Sequence, residues 1–243
     1  MNTPTPTASH KQPIIISAVF RASLIALAAV VLTAQQVRSQ NSVGDMSDWD
    51  GVGQITGFDI NGTGGDSTIG QTFQINDASA LVSSISVPVV DADTLGTAEF
   101  QIGVAAWSGS QATGTLLYLS GVMSESSTSF QQPFTVAPNN LVLNQNQEYV
   151  LFVTANGVVD SYPPFNGSVG YVPVSDYAGG DAFYVTGYQL GINALFTQTW
   201  SDANTDIAFD VDYQAVPEPG ICALLCSGSL AFSFRKRAWL RHK

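Results

Sequence analysis

Between Asn41 and Val216 the chain runs for 176 residues without a single Lys, Arg or His. The eight basic residues all lie outside that stretch. Lys11, Arg21 and Arg38 precede it, and Arg235, Lys236, Arg237, Arg241 and Lys243 follow it. Of the 19 acidic residues, only Glu218 falls elsewhere. The histidines are His10 and His242, and the cysteines are Cys222 and Cys226. The middle of the protein therefore has to fold without Lys or Arg ion pairs and without a disulfide. A segment of this length can bury a sufficient core alone. Several chemistries are closed to it. It has no cation to neutralise phosphates, which excludes nucleic-acid binding. Ser-His-Asp, Cys-His and Schiff-base lysine catalysis lack their residues, as do zinc sites built from His or Cys.

The middle reads as strands. Ile207–Tyr213 alternates large apolar side chains with small or acidic ones, and Glu99–Ala106 does the same, the period of a half-buried strand. Further runs rich in β-branched and aromatic residues are Gln71–Ile75, Leu81–Val90, Thr115–Leu119, Phe130–Val136, Glu148–Thr154, Val169–Val174 and Ala182–Tyr188,. Asn-Gly at 61–62, 156–157 and 166–167 is a dipeptide favoured in hairpin turns,. Asp outnumbers Glu 15 to 4, and Asp suits turns where Glu favours helices. About nine or ten strands with turns between them predict an all-β fold, an antiparallel β-sandwich of jelly-roll type.

The two ends have a different character. Ala22–Ala34 is a run of thirteen uncharged residues behind Lys11 and Arg21. A positive start, a short apolar core and small residues near its end predict a secretory signal peptide over 1–39. Cleavage falls after Ser39, with Val37 two residues before it, or after Ala34, with Leu32 before it. At the other end, Pro217-Glu218-Pro219 is followed by the uncharged run Ile221–Phe234 and then by Arg235, Lys236, Arg237 and Arg241. The prolines hold the backbone extended, so a helix begins only after them. Fourteen residues make about 21 Å of helix, short for a permanent span. The basic cluster holds it on the cytoplasmic side. Cys222 and Cys226 share one face of that helix,.

A Pro-Glu-Pro triplet, a short apolar helix and an Arg-rich tail, in that order over 217–243, resemble the PEP-CTERM sorting signal of bacterial exoproteins. The resemblance implies recognition by an exosortase, a membrane-embedded cysteine transpeptidase, with Pro217, Glu218 and Pro219 as the recognition element. It further implies export through the secretion machinery and a transient stay in the inner membrane. Delivery to the cell surface or to an extracellular, exopolysaccharide-containing matrix follows. Segments of the middle are similar to a β-sandwich ectodomain found among such proteins. They include Gly70–Phe73, Ala106-Trp107-Ser108-Gly109, Gln147–Val153, Tyr177–Gly180, Trp200 and Ile207–Phe209. Where that pattern often has Asp after the tryptophan, this chain has Ser108. The resemblance brings no catalytic residues, and the domain over 40–216 is expected to be a non-catalytic structural or adhesive one.

Two other classes compete. Calcium takes carboxylate and carbonyl oxygens, and Asp91 with Asp93 resembles the opening of a calcium loop. It lacks the later ligands of an EF-hand,. Asp176 and Asp181 flank a Gly-Gly turn, and Asp45, Asp48 and Asp50 form a third group. With Trp107 and Trp200 as stacking platforms, bound Ca²⁺ would make a calcium-assisted carbohydrate-binding module. A glycoside hydrolase needs only two carboxylates across a cleft, so the lack of His does not exclude it.

Overall fold

The structure, a computed structural model, describes residues 40–59, 66–92, 97–158, 166–172, 177–186 and 191–216. The expected signal peptide, sorting motif, membrane helix and basic cluster lie outside them. In chain order the first eight strands are β1 (Gln40–Gly44), β2 (Gln54–Asp59), β3 (Asp66–Gln74), β4 (Ser79–Val87), β5 (Val89–Asp91), β6 (Ala98–Trp107), β7 (Ala112–Leu119) and β8 (Met123–Glu125). The rest are β9 (Phe134–Val136), β10 (Val142–Asn144), β11 (Glu148–Thr154), β12 (Asn166–Val172), β13 (Ala182–Thr186), β14 (Ser201–Asp202), β15 (Asp206–Ile207) and β16 (Asp210–Ala215). Helical backbone among the described residues is confined to two 3-10 turns, Met46–Asp48 and Ile192–Phe196.

Every strand pairing among these residues is antiparallel. One sheet runs β1-β16-β4-β10, with β9 also on β4. A larger one runs β14-β13-β3-β11-β6-β7, with β8 also on β6. A small third sheet is built on β12, which pairs β15, β2 and β5. The chain crosses repeatedly from one sheet to another: β3 lies in the larger sheet, β4 in the smaller, β6 and β7 in the larger again. The fold is all-β and sandwich-like.

Strand β11 shows why. Its side chains alternate between two faces. Tyr149, Leu151 and Val153 join a core that also takes Ile85 and Leu143 from the facing sheet. Val150 and Phe152 enter a second core with Trp107, Val185, Leu195 and Trp200. Both faces of the strand are covered, so its sequence is an almost unbroken apolar run. Burying a side chain such as Phe152 contributes about 1.5–3 kcal/mol. On β6, Gly103 lies opposite Phe152, and any Cβ there would run into the Phe152 ring.

The sequence reading erred at four places; Phe130–Val136 is strand only from Phe134 onward. Leu81–Val90 is two strands, because Pro88 has no N–H to give to a ladder. Its carbonyl instead accepts from Gly170 N–H at 3.0 Å. Ile207–Tyr213 is broken after Ile207. Phe209 leaves the ladder to pair with Asp45: its carbonyl accepts from the N–H groups of Asp45 and Met46, both at 3.1 Å. Its own N–H donates to Asp45 Oδ1 at 3.2 Å. Asn166-Gly167 is no turn either; it opens β12, opposite Asp59 and Asp91.

Candidate functional site

At one end of β3 and β11, an open depression of about 530 Å³ is lined by Gln74, Glu148, Tyr177, Ala178, Gly179, Gly180 and Asp181. Ladder register sets one wall, where Glu148, the first residue of β11, stands opposite Gln74, the last of β3. The other wall is the Gly-Gly turn, clamped onto β3 by Thr72. Asp181 N–H donates to Thr72 Oγ1 at 2.9 Å, and Thr72 N–H donates to the Asp181 carbonyl at 3.0 Å. Gly180 lies so close to the Thr72 backbone that a Cβ would collide with its carbonyl oxygen. Asp181 itself is exposed. Desolvation raises the Glu148 carboxyl above its ordinary value, and the Asp181 charge adds to the rise. With no Lys, Arg or His anywhere in 41–216, this acidic pair has no basic neighbour from the domain to neutralise it.

A second group of acids acts on Tyr177, one of the residues lining the depression. Asp45 and Asp206 are 3% and 0% exposed. Each carboxylate uses one oxygen only. Asp45 Oδ1 accepts from Phe209 N–H. Asp206 Oδ1 accepts from Gln71 Nε2 at 2.8 Å, while Gln71 Oε1 accepts from Ile207 N–H at 3.0 Å. The Oδ2 atoms of both are buried without a hydrogen-bond partner, and so is the Tyr177 hydroxyl. Tyr177 stands edge-on to Phe209, ring centres 5.1 Å apart. Burial pushes the Asp45 carboxyl up to about 7; the charges of Asp206 and Asp48 add to this and the Phe209 N–H opposes it. Burial also pushes the Tyr177 phenol up to about 12. The Asp45 and Asp206 charges contribute to that rise, and the nearby Gln74 backbone opposes it without reaching hydrogen-bond geometry.

The residues singled out in the sequence fall in separate places. Asp181 is in the depression. Asp91 ends β5 as a buried strand residue, its N–H donating to the Ser127 carbonyl at 2.9 Å. Asp93 and Asp176 lie outside the described residues, as do Pro217, Glu218, Pro219, Arg235, Lys236, Arg237 and Arg241. The group Asp45, Asp48 and Asp50 is split. Asp45 is buried, Asp48 is exposed, and Asp50 Oδ1 accepts from Val52 and Gly53 N–H in a turn. Among the described residues no three His, Cys, Asp or Glu side chains come together as a metal site.

Trp107 and Trp200, expected as stacking platforms, are covered by packing. They are 4% and 3% exposed and pack edge-to-face at 5.3 Å in the second core. The indole N–H of Trp200 donates to the Leu195 carbonyl at 3.0 Å. Glu148 and Asp206 carried no sequence signal beyond being acids. The effect of the Asp45 charge on Tyr177, 132 positions later, exists only in the fold.

No protein-family model matches this sequence, and no curated protein matches it. Solved structures give weak likenesses. One is a clostridial cysteine protease, Cwp84, after propeptide cleavage: 11% identity, TM-score 0.40, 68% of this chain and 38% of that one. Another holds the cysteine protease and lectin-like domains of Cwp84, a surface layer associated protein of Clostridium difficile: 11% identity, TM-score 0.37, 63% and 33% covered. A third is the VP2 subviral particle of infectious bursal disease virus: 15% identity, TM-score 0.30, 83% and 49% covered. This chain thus spans less than half the length of each, and likenesses at these TM-scores carry no argument. Among the described residues no helix is long and apolar enough to cross a membrane.

Proposed function

We propose that this chain is an exported protein sorted by an exosortase through Pro217-Glu218-Pro219. In this reading its β-sandwich, of jelly-roll type between an N-terminal signal helix and a short C-terminal membrane helix, is the part delivered to the cell surface or extracellular matrix. There it plays a non-catalytic structural or adhesive role. The observation that carries the reading is the tail itself, with the triplet, the apolar run Ile221–Phe234 and the basic cluster Arg235, Lys236, Arg237 and Arg241 in succession. Its placement adds support. The last strand, β16, ends at Ala215 and pairs with β1, Gln40 opposite Gln214. Chain entry and exit are therefore side by side at one edge, and removal of the tail would cost the described core no side chain. Mass spectrometry of the mature C-terminus from producing cells tests this. The expected product ends near Pro217, and Pro217→Ala with Pro219→Ala retains the tail. Unchanged processing in that double variant would sink the reading.

The depression favours a second reading, a module that binds hydroxyl-rich ligands such as exopolysaccharide. Gln74, Glu148 and Asp181 present the amide and carboxylate groups that hydrogen-bond sugar hydroxyls, and Tyr177 lends an aromatic side chain,. Glycan-array binding that disappears with Glu148→Ala would favour it.

A further inference from the structure

We propose that Asp45 and Asp206 form the anionic centre of a buried calcium site, with the Tyr177 hydroxyl as a third oxygen, between the sheets and beside the Gly179-Gly180 turn. The argument begins with unmade bonds. Both carboxylates are almost completely buried, and both leave Oδ2 unpartnered. A buried ionised carboxylate is costly unless a donor, a proton or a metal ion compensates it. The usual partner is a Lys or Arg, and residues 41–216 contain neither.

The surroundings hold the two acids rather than relieve them. Phe209 N–H fixes Asp45 through Oδ1, and Gln71, itself buried and bonded to Ile207 N–H, fixes Asp206 through Oδ1. All three are tied to the segment Asp206–Phe209. Asp45 is bonded to the Phe209 backbone, Tyr177 packs against its ring, and Asp206 lies three positions before it. Each carboxylate is thus left with one oxygen; the Asp206 charge acts on Asp45, and both acids act on the Tyr177 phenol.

The donor set selects the ion. It contains oxygen only, which excludes the softer ions that seek thiolate or imidazole and fits a hard cation. Two carboxylates balance one divalent charge. Calcium tolerates irregular oxygen coordination, whereas magnesium demands a near-ideal octahedron; the remaining positions fall to water. This site is distinct from the Asp91–Asp93 and Asp176–Asp181 pairs.

A proton on Asp45 is the competing way to satisfy the same pair, and the two are separable. With the full-length protein at pH 7.5, calorimetry with Ca²⁺ should find one ion per chain, and Ca²⁺ over EDTA should raise the melting temperature by several degrees. Asp206→Asn and Asp45→Asn should each weaken binding at least tenfold and remove the shift. Asp202→Asn, at an exposed position of β14, should leave both unchanged. Wild-type affinity should fall as pH drops from 7.5 to 5.5, a measurement that needs no variant to fold. The site is disproved if wild-type melting ignores Ca²⁺ and EDTA while still responding to pH, since the pair then holds only a proton. It is equally disproved if Ca²⁺ binds with the same affinity to Asp45→Asn and Asp206→Asn.

Discussion

The two faces of the larger sheet treat their buried polar groups in opposite ways. On one, Trp107 and Trp200 pack with Phe152 and Phe183. The Trp200 N–H has its acceptor in the Leu195 carbonyl. On the other, Phe73 and Phe209 pack with ring centres 6.1 Å apart, but Asp45, Asp206 and Tyr177 bring three oxygens into the interior and leave them unpartnered. Burial of a large aromatic stabilises a fold without further requirement, whereas burial of a bare carboxylate opposes it. The first face is explained by stability alone. The second demands a ligand or a proton, and that makes it the functional candidate.

Mutations can break this comparison, starting with the largest effect. Trp200→Ala should destabilise the domain by about 3–5 kcal/mol, the usual cost of emptying an aromatic core position, measured by chemical denaturation. A loss below about 0.5 kcal/mol, typical of a surface residue, would mean that the indole is not in the interior.

The acidic face should respond to pH instead. The Asp45 carboxyl rises from 3.8 to about 7 on folding, so between those values the folded state binds more protons than the unfolded one. Its favourable contribution is complete below about pH 4 and is lost as pH rises through about 7. Asp206 from β15 and Asp48 from the first 3-10 turn are the charged groups that act on it, and the Phe209 N–H opposes them. In EDTA, denaturation midpoints should therefore fall from pH 5 to pH 8, by up to a few kcal/mol in stability. Asp45→Asn should flatten that slope. An equally steep slope in Asp45→Asn would place the titration elsewhere among the acids.

The smallest of the three effects sharpens the link between the acidic face and the depression. Gly180→Ala forces a Cβ against the Thr72 carbonyl and should cost about 1–3 kcal/mol, the range for an overpacked site. Because the Gly-Gly turn lies over Tyr177, whose hydroxyl a Cβ on Gly179 would also meet, Gly180→Ala should also disturb Tyr177 fluorescence. Unchanged stability would show that the turn is not clamped to β3.

Much of the fold is legible in the sequence. Glu148–Thr154 is a strand with the bounds that its apolar run predicts, and Ala98–Trp107 extends its predicted alternation by one residue at each end. These segments carry their own signal because both faces are filled, or because the period of two is unbroken. Short strands such as β1, β2 and β10 were not legible, since Gln40–Gly44 and Val142–Asn144 have no period to read and owe their state to β16 and β4. The sites were readable at Asp181 and its Gly-Gly turn, and at Asp45 only as one of the group Asp45, Asp48 and Asp50. Glu148 looks like any strand-edge acid, and Trp107 and Trp200 look like platforms until packing covers them.

The sequence alone determined that the domain is β-rich, that no basic residue within 41–216 relieves its acids, and that the basic residues are confined to the two ends of the chain. Those properties belong to composition, period and order along the chain. The tertiary structure decided which acids matter. Asp45 and Asp206 are separated by 160 intervening residues and become neighbours only when Phe209 leaves its ladder to bond Asp45. A carboxylate's need for a partner arises from desolvation, and desolvation is a property of the assembled interior.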